Sequence, residues 1–453
     1  MRGGISDRIL PLLHAALGTA FLLGCITVAA AQQPPPELPE SNVLATPSDV
    51  LSHGGWLFYP EITAYAVGTD NLFQTPISPI GVGGVGYKPK LVAAWTDGIH
   101  TTTLYGNLDQ RFYPTHSDLN TFDRNGGFTQ QYSPLPDLYF KLQGDYTHLT
   151  NSGVVSAIPG ALASPGPPPP GGPPNPTLTV QGQNVSVNPT DTWSAVASVQ
   201  KFFNHGVVNL TGTLAQTTYT DQSTQIVAGT PNYTQETFAG DGATWLGPLL
   251  FLFSDGAYSA HNAAQINATP GDNSIAYRAR GGIATRPEAL FSAAAYYGYQ
   301  GSNDEVAGRA GGEIFGGRLT YNPTAQLSFT AAIDEIINKA TPGAVSNLAL
   351  TLPTPSAAVV SPSSSTKITE PTLQVAYHIT DQWSTFGTLG LSHIEFIGSP
   401  QLENAWLADA VLRYEMSRNW TFSWEYQYTA IISNLPLSSS TRNYVYTAAT
   451  YRF

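Results

Sequence analysis

The sequence predicts an all-β protein: a transmembrane antiparallel up-and-down barrel of about 18 strands, with short periplasmic turns and longer extracellular loops. Three observations carry this. Between Trp420 and Tyr428 every second residue is aromatic (Trp420, Phe422, Trp424, Tyr426, Tyr428), and Thr421, Ser423, Glu425 and Gln427 lie between them. A strand sends successive side chains to opposite faces, so this segment has one aromatic and one polar face. Second, charged residues make up only 11% of the 453, with 43 Gly and 23 Tyr, while mean hydropathy is −0.09. Few charges without high hydropathy fits neither an ordinary soluble enzyme nor a helical membrane protein. Third, short and long connectors alternate along the chain, as they do in a barrel built from hairpins.

Residues 1–31 read as a secretory signal. Arg2 and Arg8 precede the apolar run Ile9–Val28, and Ala29-Ala30-Ala31 offers a cleavage site before Gln32. A rival reading stays open, because Leu22-Leu23-Gly24-Cys25 resembles a lipobox in which Cys25, the sole cysteine, becomes a lipidated N-terminus. The apolar residues Ile26–Ala31 favour the cleaved signal. Without Cys25 the mature chain has no cysteine and no disulfide to form. Residues 32–55, with Pro34-Pro35-Pro36, Pro39 and Pro47, read as a flexible periplasmic leader.

The barrel is expected over residues 56–453. Its first strand, Trp56 to about Gly68, is interrupted by Pro60, and Asp70-Asn71-Leu72-Phe73 follow it. Val85–Trp95, Thr103–Tyr113, Thr121–Tyr132 and the strand from Leu138 come next. Thr192–Phe203, Val207–Tyr219, Glu236–Leu246, Leu249–Ala260, Ile275–Arg286 and Leu290–Tyr299 continue the alternation. Ala307–Tyr321, Gln326–Ile336, Thr372–Ile379, Trp383–Glu395, Asn404–Tyr414, Trp420–Ala430 and Tyr444–Phe453 complete it. Gly311-Gly312 and Gly316-Gly317 suggest bulges that change parity. Two long outer connectors stand out, a Pro-rich Thr150–Asp191 and a Ser/Thr/Pro/Ala-rich Ile337–Pro371. Each reads as a solvated loop or as a constriction folded into the pore.

With these strands in place, the chain resembles the putative β-barrel porin 2 family of Gram-negative outer-membrane proteins. The resemblance rests on Asp70-Asn71-Leu72-Phe73-Gln74-Thr75, Tyr87-Lys88-Pro89-Lys90-Leu91, Tyr321-Asn322-Pro323-Thr324 leading into Leu327 and Phe329, and Tyr451-Arg452-Phe453. It covers Trp56 to Phe453; the Pro-rich connector and Pro60 depart from it. The resemblance implies an outer-membrane barrel whose cargo is not defined, some relatives being connected with surface polysaccharide.

Candidate functional residues are the charges on the polar parity. Arg278, Arg280 and Arg286 share one face of a strand, opposite Ile275, Tyr277 and Ile283. An arginine facing lipid at mid-bilayer costs about 2–4 kcal/mol, so these should face the lumen. There they could draw in anions, or pair with carboxylates such as Asp255. Lys88, Lys90, Asp109, Arg111, Lys141, Asp145, Asp334, Asp409, Arg413 and Glu425 are further candidates for pore-lining charge. Both signs occur, so no overall preference follows. Asp70-Asn71 reads as a cation site or, more simply, as Asx turns. Tyr451 and Phe453 resemble the terminal signal that the barrel-assembly machinery recognises.

No G-x-S-x-G, H-E-x-x-H, Walker loop or Cys/His cluster occurs, and His148, His378 and His393 stand on separate strands or loop edges. The expectation is a non-enzymatic protein without catalytic, cofactor or metal residues. A net charge of −12 makes nucleic acid an unsuitable partner. The expected partners are outer-membrane lipid, the assembly machinery and small hydrophilic solutes or ions, with a homo-oligomer by analogy with general porins. The expected function is passive diffusion across the Gram-negative outer membrane. The alternative is a component of surface polysaccharide export or assembly.

Overall fold

The computed structural model describes residues 51–72, 79–150, 190–219, 232–247, 249–263, 273–285, 290–304, 308–339, 365–397, 400–434 and 439–453. The predicted signal, most of the leader, the Pro-rich connector and residues 340–364 lie outside these.

A short strand, β1 (Leu51–His53), pairs back on β2 (Trp56–Thr69). β2 is the first of eighteen long strands, and seventeen follow it. They are β3 (Val82–Thr96), β4 (His100–Phe112), β5 (Thr121–Leu135), β6 (Leu138–Leu149) and β7 (Thr190–Phe203). Then come β8 (Gly206–Tyr219), β9 (Tyr233–Trp245), β10 (Leu250–Ala263), β11 (Ser274–Thr285), β12 (Phe291–Asp304) and β13 (Gly308–Thr324). The ring continues through β14 (Leu327–Lys339), β15 (Ser365–His378), β16 (Trp383–Phe396), β17 (Leu402–Glu415), β18 (Trp420–Ser433) and β19 (Ser440–Arg452). Each pairs antiparallel with its sequence neighbour, and β19 pairs with β2. The sheet is a closed 18-strand antiparallel barrel. Closure of the ring through β19 and β2 pairs the first and last strands, which would otherwise be free edges in lipid.

Parity sorts the side chains as the pattern predicts. On β18, Trp424 and Tyr426 are 41% and 46% exposed on the outside, whereas Glu425 and Gln427 face inward at 6% each. Outward Val85, Leu104, Leu142, Leu210, Phe238, Tyr297 and Leu389 continue the apolar belt.

The short turns are capped by their own residues. Asp97 Oδ1 accepts the backbone N–H groups of Ile99 (2.9 Å) and His100 (2.6 Å), while Gly98 takes φ 90. These bonds, the His100 N–H first among them, hold the exposed Asp97 carboxyl down at about 2. Thr324, Thr380 and Ser417 repeat one device, each hydroxyl accepting the N–H groups two and three residues on.

Three details depart from the expectation. Pro60 does not interrupt the β2–β3 ladder, where it pairs with Leu91. Its carbonyl accepts from Phe453 N (3.2 Å), so its missing N–H faces the side on which β19 runs out. Residues Ile337–Lys339 and Ser365–Pro371, expected in a loop, are strand. The glycines of β13 make no bulge against β12, which pairs one to one from Phe291↔Tyr321 to Asp304↔Gly308. They are places of close approach: a Cβ at Gly316 would lie 2.3 Å from the Tyr296 ring.

Asp70-Asn71 closes the seam. Asp70 accepts from Asn443 N (2.8 Å) and Asn443 Nδ2 (2.6 Å), and Asn71 Nδ2 donates to Thr441 O (3.0 Å). Lower down, Thr63 and Thr450 hydroxyls meet at 2.8 Å and Arg452 reaches Glu61 at 3.3 Å.

Candidate functional site: the charged inner wall

Two polar clusters line the lumen. In a ring of 18 strands, β2, β3 and β4 stand nine strands from β11, β12 and β13, so the clusters occupy opposite walls.

On the first wall the organising group is the Asp109 carboxylate. Tyr65 Oη donates to it, Lys88 Nζ lies 3.1 Å away and Arg111 Nη2 3.4 Å away. Arg111 also donates through Nε to Tyr65 Oη and through Nη1 to Tyr113 Oη, both 3.3 Å. Lys88 stands over the Tyr65 ring at 5.0 Å, within cation–π range. Glycine makes this layering fit. Tyr65 is registered against Gly86, where a Cβ would meet its ring at 2.4 Å. Arg111 is buried and anchors the tyrosines, whereas the Lys88 side chain keeps 23% of its surface open to the lumen.

Asp255 organises the opposite wall. Its carboxylate takes Arg278 at 3.1 Å through one oxygen and Arg280 through the other. The Arg280 guanidinium lies 4.5 Å from the Tyr296 ring centroid, and Tyr296 Oη donates to Asp334 at 2.5 Å. Glu370, beside Asp334 in the β14–β15 register, accepts from Ser392 Oγ at 2.9 Å. Two guanidinium groups share the Asp255 carboxylate, and the Asp334 and Glu370 carboxylates stand next along the same wall, so the cluster carries both signs. The pairing that the sequence raised as the alternative for these arginines is therefore present.

The other candidates fall as follows. Lys141, Asp145 and Glu425 face the lumen on the parity expected, Asp145 Oδ2 accepting from Gln143 Nε2 at 2.9 Å. Arg286 lies outside the described residues. Tyr451 and Phe453 sit at the end of the barrel that carries the short turns, on the outer face with rings 4.9 Å apart, Phe453 being 57% exposed. His148 has a neighbour the sequence did not suggest, Asp191 at 2.8 Å on the outer face. Among the described residues no cluster of His, Cys, Asp and Glu could hold a metal ion. The sequence does not single out Tyr65, Tyr296 or Asn443. The readable signal would have been an aromatic of inward parity registered against a glycine, as Tyr65 is with Gly86 and Tyr296 with Gly316.

A closed ring of antiparallel strands, apolar outside and charged within, defines an outer-membrane β-barrel of the porin-like class. The chain belongs to the family described as putative beta-barrel porin 2, whose model matches residues 172–453. Two of the four stretches that carried the resemblance, Tyr321–Thr324 and Tyr451–Phe453, fall inside that span. Among curated proteins, no relative matches. Solved structures of similar shape include the siderophore receptor PirA of Pseudomonas aeruginosa, at 8% identity and TM-score 0.44, covering 87% of this chain and 80% of that one. OccK5 (OpdH) of Pseudomonas aeruginosa gives 13% and 0.44, covering 87% and 98%. The FrpB iron transporter of Neisseria meningitidis gives 8% and 0.44, covering 87% and 81%. These likenesses carry no argument about cargo.

Proposed function

We propose that this barrel lets small hydrophilic solutes diffuse passively through its lumen, selecting them by size and by the charges on its two polar walls. The observation that carries the reading is the pairing of a polar inner parity with a ring of 18 strands, wide enough for a water-filled channel. Accessible cationic groups on opposing walls, Lys88 on one and Arg278 and Arg280 on the other, would act on a solute passing between them. The purified, folded barrel in a planar bilayer should give discrete conductance steps. A heat-modifiable, folded barrel that conducts nothing would remove the diffusion reading and favour the polysaccharide-export alternative.

In this reading residues 1–31 serve export and are removed, and the barrel reaches the Gram-negative outer membrane through the periplasm. Before the ring closes, the edge of β19 ending in Tyr451 and Phe453 would be presented to the assembly machinery. Phe453→Ala should then lower the amount of heat-modifiable barrel recovered from membranes while leaving in vitro refolding in detergent unchanged. An equal loss in both would make Phe453 a structural residue of the rim instead.

A further inference from the structure

The wall is not a single layer all the way up. β13 and β14 pair from Thr324↔Leu327 to Gly316↔Asp334, and above that level no β13–β14 pair forms among the described residues. β14 nevertheless stays paired with β15 up to Lys339↔Ser365. The top of this hairpin has therefore left the plane of the barrel wall.

The side it has moved to follows from parity. Were the β13–β14 ladder continued, Ile337 would pair with Glu313, which is exposed on the outer face, and would point to lipid. Ile337 is instead 4% exposed, and its Cδ1 lies 3.2 Å from where a Cβ of Gly312 would stand, on the inner face of β13. Ile314, also on that inner face, is 1% exposed. Gln300 of β12, registered against Gly312, extends across the bare glycine. Its Nε2 donates to Ile337 O at 2.6 Å, and its Oε1 accepts from Ile337 N at 3.4 Å. One side chain thus replaces the two backbone bonds that Ile337 would have made to a continued β13–β14 ladder. Within the hairpin, Glu335 is held by Lys367 (3.0 Å) and Thr369 (3.3 Å).

From this geometry we infer that the tops of β14 and β15, residues 335–339 and 365–369, form a fixed constriction inside the lumen, seated on Gly312 and fastened by Gln300, and that it sets the solute size limit. The sizing role rests on the diffusion reading above; the position of the hairpin does not. Gln300 is a positioning residue, acting on the passage through the strand that it holds.

Two measurements test this separately. In the folded barrel carrying Gly312→Cys and Ile337→Cys, a short bifunctional thiol reagent should join the two positions, read by peptide mass. The chain's one natural cysteine, Cys25, lies ahead of the barrel. Failure to cross-link means that β14 continues in the wall with these side chains on opposite faces, and the inference is overturned. In planar bilayers, Gln300→Ala, and Gln300→Glu, which keeps the size but loses the amide donor, should both raise single-channel conductance and admit larger solutes. Unchanged conductance and size cut-off from barrels whose parent conducts would overturn the sizing role. A parent that never conducts would overturn the diffusion reading, with the cross-link still reporting where the hairpin lies.

Discussion

Gly298→Val is expected to block formation of the folded barrel, or to lower the temperature at which it loses its heat-modifiable band by more than any other single change considered. Gly298 pairs directly with Arg280, and a Cβ there would lie 2.3 Å from Ala279 O and 2.4 Å from Arg280 Cβ. Neither atom is the end of a flexible side chain, so β11 and β12 would have to separate. Overpacking of this kind costs about 1–3 kcal/mol in a soluble core. In a ring with no free edge, a local separation must also be absorbed by neighbouring strands. Gly68→Ala is the control, since a Cβ there meets nothing within 4 Å. Equal behaviour of the two variants would show that the β11–β12 approach is looser than described.

Opposite shifts in ion selectivity are expected from the two sides of the Asp255 clamp. Removing both guanidinium groups with Arg278→Ser and Arg280→Ser strips two positive charges from the wall and leaves Asp255 uncompensated, so reversal potentials should move toward cations. Asp255→Asn leaves both arginines without their shared carboxylate and should move them toward anions. Each change also removes charge-assisted hydrogen bonds worth about 1.5–3 kcal/mol apiece, so thermal stability should fall in both. The sign of the selectivity change separates a role in passage from a purely structural one. If both variants lose stability and neither shifts the reversal potential, the clamp serves the wall alone.

The parts of this molecule legible in the sequence are those with a local period. The alternation in Trp420–Tyr428 places Trp424 outward and Glu425 inward whatever the neighbouring strands are, because inside–outside sorting repeats every two residues. For the same reason Arg278 and Arg280 fall on the lumen parity, opposite Tyr277 and Ile283. The strand number follows because each strand is long enough to cross the bilayer and is bounded by turn residues such as Asp97-Gly98.

What the sequence left open depends on register around the ring. Pro60 reads as a break until its N side is found to face the end of β19. Asp70 reads as a turn residue until Asn443, 373 positions away, is brought to it by closure. Gly312 and Gly316 read from the sequence as bulges. The pairing of Gly316 with Tyr296, and the passage of Ile337 across Gly312, make them seats for a large neighbour instead. The barrel class, the residues that face the lumen and the approximate number of strands are all readable from the chain's local period. Which charges share a carboxylate, how the seam is fastened and where the wall doubles inward emerge only from the folded ring. The physical reason is that side-chain facing is fixed by two torsions per residue, whereas these contacts join residues far apart in the chain and exist only once the ring is closed.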